Sequence, residues 1–207
     1  MDNVRFIGQS VDYVGGYGND GTIESAARTC TQTESNPTKA DGFVRRLVQR
    51  GHMSPTEFGF ADFLIECDRA IQQELTRHRH LSFNVESTRW VDYSRKPLRF
   101  VTKPTKGWDV PEEAVELLED LCEVCATTYE TLMVMGAPRD YARKALPLAL
   151  ASRMRVAGDA RAWAEVIDKR SVKAAHPEIR EVVARVREAL GSRFAGLIGG
   201  GSHGSDD

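Results

Sequence analysis

The stretch Arg77-His78-Arg79-His80-Leu81-Ser82-Phe83-Asn84-Val85-Glu86-Ser87-Thr88-Arg89-Trp90 decides how this chain is read. Clustered like charges repel and are expensive to desolvate, so this density of fixed donors calls for an anionic ligand. Upstream, Asp68 to Thr76 reads as a helix with Ala70, Ile71 and Leu75 on an apolar stripe. If that helix continues, Arg77 and Arg79 point about 200° apart at ~100° per residue. They would then serve different partners, which suggests a site with two ligands.

Working outward, 207 residues suffice for one domain with a real core, and a net charge of −2 provides no global basic field for nucleic acid. Any anion site must therefore be local. No apolar run is long enough to span a bilayer, and the opening Met1-Asp2-Asn3-Val4-Arg5 carries no signal-peptide pattern. Cys30, Cys67, Cys122 and Cys125 are too scattered for a disulfide framework, so we expect a reducing cytoplasm. The Cys122-x-x-Cys125 pair lies on the apolar stripe Val115, Leu118, Cys122, Cys125, Tyr129 of a helix over 111–135 and lacks a second ligand pair, so it reads as core rather than metal site.

The rest of the chain alternates short strands with helices. Val4 to Ile7 is expected as a strand, and Tyr13 to Gly21 as a glycine-rich turn or flap. Helices are expected over 23–29 and over 39–49, the latter with Phe43, Leu47 and Val48 inward and Gly51 as its stop. Phe58, Phe60, Phe63, Ile65 and Cys67 suggest a strand with a register slip near Ala61-Asp62. An extended stretch over 91–101 and a loop over 103–108 follow, then helices over 111–135, 139–150, 160–169 and 177–190, the last opening on Pro177-Glu178. The pattern predicts an α+β fold, helix-rich, with a small mixed or antiparallel sheet. We expect one domain over 1–198 and a disordered Gly/Ser/Asp tail over 199–207.

Three further patches carry polar chemistry. His52-Met53-Ser54-Pro55-Thr56-Glu57 has the spacing of a capping box, with Ser54 answered by Glu57. Tyr141 to Pro147 contains Arg143, and Asp159 to Arg170 places Arg161, Glu165 and Asp168 on one helical face. Each alone reads as well as a helix start or a solvated ladder.

As an ordered series they resemble the flavin-dependent thymidylate synthases. The family signature, Arg-His-Arg, seven residues, then Ser, is complete as Arg77-His78-Arg79…Ser87. Ala26 to Cys30, His52-x-Ser54-Pro55-x-Glu57, Arg143-x-x-Leu146-Pro147 and Arg161…Arg170 resemble its other blocks, so the likeness runs from about Ile23 to Arg180. The resemblance implies a thymidylate synthase-complementing-protein-like fold and a homotetramer with sites shared between subunits. It implies FAD as cofactor, methylenetetrahydrofolate and NADPH as co-substrates, no metal, and reductive methylation at C5 of a uridine 5′-monophosphate, dUMP giving dTMP. It assigns Glu74, Arg77, Glu86, Ser87, Arg89, Arg143 and Arg170 to the nucleotide. Cys30, Ser54, Glu57, His78, Arg79, Asp159, Arg161 and Glu165 go to the flavin, and His52 lies near the folate or flavin ring. Arg170, Ser87 and His52 are its catalytic candidates, Arg170 as the cation that polarises the pyrimidine.

The chain also departs from the pattern. Glu74 stands where the family usually has glutamine, Val85 where it often has glutamate with the acid one later at Glu86, and Phe58 where it has histidine. Asp159 and Glu165 replace neutral polar residues. These swaps bear on substrate, so a paralogue methylating UMP as well as dUMP, as in nucleoside-antibiotic pathways of the polyoxin type, is the alternative. A nucleic-acid-binding module is a remote third reading, disfavoured by the acidic balance.

Overall fold

The computed structural model describes residues 3–199, so all but the first residue of the expected tail lies outside the described residues. In chain order the elements are β1 (Val4–Ile7), β2 (Ser10–Tyr17), α1 (Asp20–Thr29), α2 (Ala40–Gln49), β3 (Phe60–Asp68), α3 (Arg69–Leu75), β4 (Ser82–Val85), β5 (Leu98–Val101), α4 (Glu112–Val134), α5 (Arg139–Ala142), β6 (Ala151–Asp159), α6 (Ala160–Arg170), α7 (Pro177–Gly191) and α8 (Ala195–Ile198). Single 3-10 turns occupy Pro37–Lys39, Ser54–Phe58 and Arg143–Ala145. The fold is α+β, as the sequence predicts. One sheet has the order β2-β3-β6-β4, and β1 pairs with β5 in a second. The residues fall into two compact units, one of 3–10, 65–77 and 84–154, the other of 11–64, 78–83 and 155–199.

The first unit is built on α4. Pro111 precedes this helix, and Glu112 and Glu113 place negative charge in its first turn, complementing the helix dipole. Its buried face, Cys122, Ala126 and Tyr129, packs in a core with Tyr93, Leu98, Phe100, Ala142 and Leu150. Burial pushes the Cys122 thiol up to about 11, which leaves it protonated and inert. Parallel pairing of β1 with β5 sets Phe6 opposite Phe100, their ring centroids 6.4 Å apart. Gly136, at φ 84°, ends α4, and the Ala137 amide donates back to the Leu132 carbonyl.

Two expectations fail in this unit. The helix expected over 139–150 stops at Ala142 and tightens into a 3-10 turn, because Pro147 forces Leu146 into the extended region at ψ 129°. The stretch expected to be extended over 91–101 pairs only from Leu98. The helix expected over 68–76 is present as α3, capped by Asp68, and it ends before Arg77.

The second unit packs α1, α2, α6, α7 and α8. Trp163 anchors it: its indole nitrogen donates to the Ala61 carbonyl at 3.1 Å, and its ring meets Phe63 edge-on at 5.0 Å. The expected glycine-rich flap is instead strand β2. A Cβ at Gly16 would strike the Phe60 carbonyl, so Gly16 permits close approach of the backbones. Gly18, at φ 80°, turns the chain into α1, which Asn19 caps reciprocally with Thr22. In α2 the fully buried residues are Ala40 and Val44, with Phe43, Leu47 and Val48 half-buried, and Gly51 at φ 77° follows its end.

Strand β3 has no slip: Ala61, Phe63, Ile65 and Cys67 alternate inward without interruption, and Phe58 and Phe60 are exposed. Strands β4 and β6 are not expected from the sequence, and in β6 Met154 and Val156 are buried and Arg153 and Arg155 exposed.

Candidate active site

In the first unit the candidate residues Ser87, Arg89 and Arg143 lie on turns. Strand β4 ends at Val85, and the chain turns at Ser87, whose carbonyl accepts from the amides of Trp90 and Val91 and whose hydroxyl accepts from the Arg89 amide at 3.3 Å. Arg143 reaches this turn from the 3-10 segment and donates to the buried Thr88 hydroxyl at 3.2 Å. Arg89 pairs with Asp140 on α5 at 3.0 Å. A turn therefore gathers Ser87, Arg89 and Arg143. Glu74 is half-buried on α3 and Arg77 exposed just beyond it.

Glu86 is turned into the unit. The Tyr93 hydroxyl donates to its Oε1 at 2.7 Å, Arg99 approaches Oε2 at 3.4 Å, and its amide donates to the Arg153 carbonyl at 2.7 Å. Arg99 also pairs with Glu66. Burial, with Glu86 as acceptor and neighbouring charge, drives the Tyr93 phenol well above its ordinary range, so it stays a donor. Thr88, Tyr93, Arg99 and Asp140 were not read as site residues from the sequence. Their one signal was proximity to the motif, and tertiary contact alone shows what they hold.

In the second unit α6 carries the site. Asp159 caps the helix, its Oδ1 accepting from the Ala162 amide at 2.7 Å. Its departure from the family's neutral residue is thereby explained, because Asp and Asn cap about equally well. Arg161, one residue into the helix, pairs with Glu57 at 2.5 Å. Glu57 thus leaves Ser54: no capping box forms, and Ser54 opens a 3-10 turn. Glu165 accepts from Lys169 at 2.5 Å, a bond that holds its carboxyl below the usual range, with smaller help from His80 and His78. At the helix end Arg170 donates from Nε to Nε2 of His78 at 3.0 Å. Arg79 is exposed beside His78.

Two cavities adjoin these residues. A small one, of about 200 Å³, is lined by Glu57, His80, Asp159, Arg161, Ala162 and Glu165. A larger one, of about 830 Å³, includes Tyr17, Ser25, Thr29, Cys30, Ser54 and Phe58 in a wholly uncharged lining. The turn Ser54–Phe58 contributes to both. His52 follows Gly51, is exposed, and lines neither. No His/Cys/Asp/Glu cluster suited to a metal occurs among the described residues, nor any helix long and apolar enough to cross a membrane.

Guanidinium groups held at a hydroxyl-bearing turn suit phosphate oxygens, and an uncharged cavity lined by hydroxyls and aromatic side chains suits an organic ligand. Residues 11–194 match the family described as thymidylate synthase complementing protein, and the chain belongs to it. It is 34% identical over 195 residues to a probable flavin-dependent thymidylate synthase of Mycobacterium phage L5, covering 86% of this chain and 79% of that one. A counterpart in Mycobacterium phage D29 is 35% identical over 200 residues, covering 86% and 83%. The fold is similar to that of the UMP/dUMP methylase PolB from Streptomyces cacaoi bound with 5-Br UMP, with TM-score 0.81, 22% identity and 96% of each chain covered. This family is that of the flavin-dependent thymidylate synthases, so the chain is a flavin-dependent methyltransferase.

Proposed function

We propose that this protein methylates C5 of a uridine 5′-monophosphate, with Arg77, Ser87, Arg89 and Arg143 holding the nucleotide and Arg170 polarising its ring. One observation carries the reading. The hydrogen bond between Arg170 and His78 joins, within one unit, the cation assigned to the pyrimidine and a histidine assigned to the flavin. Arginine suits both tasks, because its fork binds phosphate oxygens in pairs and its charge is fixed. A guanidinium beside the ring stabilises negative charge developing there, and Thr88 and Asp140 keep Arg143 and Arg89 pre-oriented.

The residues present fit FAD. The larger cavity offers ring faces at Tyr17 and Phe58 and hydroxyls at Ser25, Thr29 and Ser54, with no charge to repel a dinucleotide. When bound, FAD reduced by NADPH supplies the hydride, and methylenetetrahydrofolate supplies the carbon. Cys30, Ser54, Glu57, His78, Arg79, Asp159, Arg161 and Glu165 are the proposed flavin side. Within it, Asp159 acts through the helix cap, and Glu57 and Arg161 act as a pair. His52 is proposed to meet the folate or flavin ring.

A second reading concerns the sugar. Val85 leaves the position after Asn84 uncharged, and Glu86 is engaged by Tyr93 and Arg99. A site with fewer fixed polar groups on the ligand side rejects an added hydroxyl weakly, which favours acceptance of UMP beside dUMP. The relevant solved relative is described as a UMP/dUMP methylase.

We further propose a cytoplasmic homotetramer. Leu117, Leu121 and Val124 form an exposed apolar stripe on α4 at the spacing of a packing seam, which supports assembly. Sedimentation equilibrium of the protein should give four copies.

Tritium release from 5-tritiated UMP and dUMP, with methylenetetrahydrofolate, NADPH and FAD, tests the activity. Release from dUMP is expected and release from both supports the second reading. Release from neither defeats the function.

A further inference from the structure

We infer that Arg139 and Asp92 are positioning residues that lace α5 to the turn at Ser87 and so align Arg89 and Arg143 for one ligand. The role of those two arginines rests on the proposed function, but the lacing does not. Its contacts run in order. Arg143 donates to the Thr88 hydroxyl at 3.2 Å, and Arg89 donates to Asp140 at 3.0 Å. Arg139 donates from Nη1 to the Trp90 carbonyl at 3.4 Å and from Nη2 to Asp92 at 3.0 Å. Residue numbers therefore fall on the turn as they rise on α5 and its 3-10 extension, so the two segments run antiparallel. All of these residues lie in the first unit.

Neither segment holds itself. Helix α5 has four residues, a single turn that is too short to be stable alone. The chain between Ser87 and Asp92 belongs to no helix or strand. Ala142 buries the inner side of α5, but one methyl group leaves the reach of Arg143 undetermined.

Arg139 suits the task because a guanidinium presents several donors in one rigid plane. It holds at once the backbone beside Arg89 and the chain beyond it. Asp92 is anchored in turn, its Oδ1 accepting from the Ser94 amide at 3.1 Å and the Ser94 hydroxyl at 2.6 Å. The Ser94 hydroxyl, with smaller help from Arg139 and Arg95, holds the Asp92 carboxyl below its usual range and so keeps it ionised at neutral pH. Arg139 and Asp92 are both partly exposed, and ion pairs of that kind contribute little to stability. Removing Arg139 should therefore disturb ligand binding far more than folding.

The test is steady-state kinetics of the full chain loaded with FAD, with dUMP as the varied substrate. In Arg139→Ala the KM for dUMP should rise about tenfold, with kcat within about threefold of wild type and flavin content unchanged. The thermal midpoint should stay within about 4 °C. Arg139→Lys keeps a donor for Asp92 but loses the fork, so its KM should rise only about threefold. Asp92→Asn removes the carboxylate that Arg139 meets, should raise KM about threefold, and decides the matter if Arg139→Ala does not fold. Where Arg89 is already alanine, Arg139→Ala should add less than about threefold, because it acts through that residue. An unchanged KM, a kcat that falls in step with flavin loss, or the full tenfold effect in the Arg89→Ala background would overturn the inference. If the wild type turns over no dUMP, the proposed function fails, and crystal structures of Arg139→Ala or Asp92→Asn decide the lacing. It stands if the bonds from Arg143 to Thr88 and from Arg89 to Asp140 are lost, and falls if both persist.

Discussion

In the unit built on α4 the candidate arginines are gathered by turns, and in the unit built on α6 they sit at the two ends of one helix. Arg89 and Arg143 depend on Thr88, Asp140 and the bend at Ser87. Beneath that bend, Glu86 is bound to Tyr93 and Arg99, and Glu66 extends the network. Arg161 and Arg170 need only the helix to fix their spacing, and Arg161 meets Glu57 while Arg170 meets His78. The proposed nucleotide set, Arg170 excepted, lies in the first unit, and the proposed flavin set lies in the second. An irregular site is held by what lies under it. A helical site is held by its own backbone.

Predictions follow from that contrast, the largest effect first. Arg143→Ala should cost about 10- to 100-fold in kcat/KM through loss of charge-assisted hydrogen bonds, with flavin content unchanged. Steady-state kinetics beside the absorbance of the purified protein would show it, and loss of flavin instead would assign Arg143 to the wrong set.

Glu86→Ala should destabilise the protein by about 2–3 kcal/mol, since it leaves Arg99 half-paired and Tyr93 without its acceptor. Urea unfolding would measure this. A stable variant that simply weakens nucleotide binding would restore Glu86 as a ligand contact.

Asp159→Ala should cost about 1 kcal/mol and Asp159→Asn close to nothing, because either capping side chain satisfies the Ala162 amide. Equal losses in thermal unfolding for both variants would mean that the charge matters rather than the cap.

The smallest effect is electrostatic. Burial raises the Asp20 carboxyl, although Oδ2 accepts from the Gly196 amide at 2.7 Å. A raised folded-state pKa means that this group favours folding below its unfolded value of 3.8 and loses that contribution as pH rises through the folded value. Wild type should therefore gain stability relative to Asp20→Asn as pH falls toward 3.8, and parallel Tm-versus-pH curves would contradict this.

Much of the fold was legible where a period or a punctuating residue carried the signal. The helices over 112–134 and 177–191 follow their apolar spacing, and the chain turns at Gly51 and Gly136, both of positive φ. Strand β6 was legible and overlooked: Met154 and Val156 alternate with Arg153 and Arg155, the pattern of a half-buried strand. Glycines masked β2, because Gly16 is there for close approach rather than for a turn. The capping-box spacing misled, since Glu57 meets Arg161, 104 residues away, instead of Ser54.

By itself the sequence determined the α+β class, the ordered series of arginines around Ser87 and the family to which they belong, because these depend on residue identity and spacing. Only tertiary structure decided which of those residues hold another residue. Glu86 turned inward, Asp159 became a cap, Glu57 left its neighbour for Arg161, and Arg170 closed on His78. A carboxylate or guanidinium goes to whichever partner best offsets its desolvation, and that partner is most often distant in sequence.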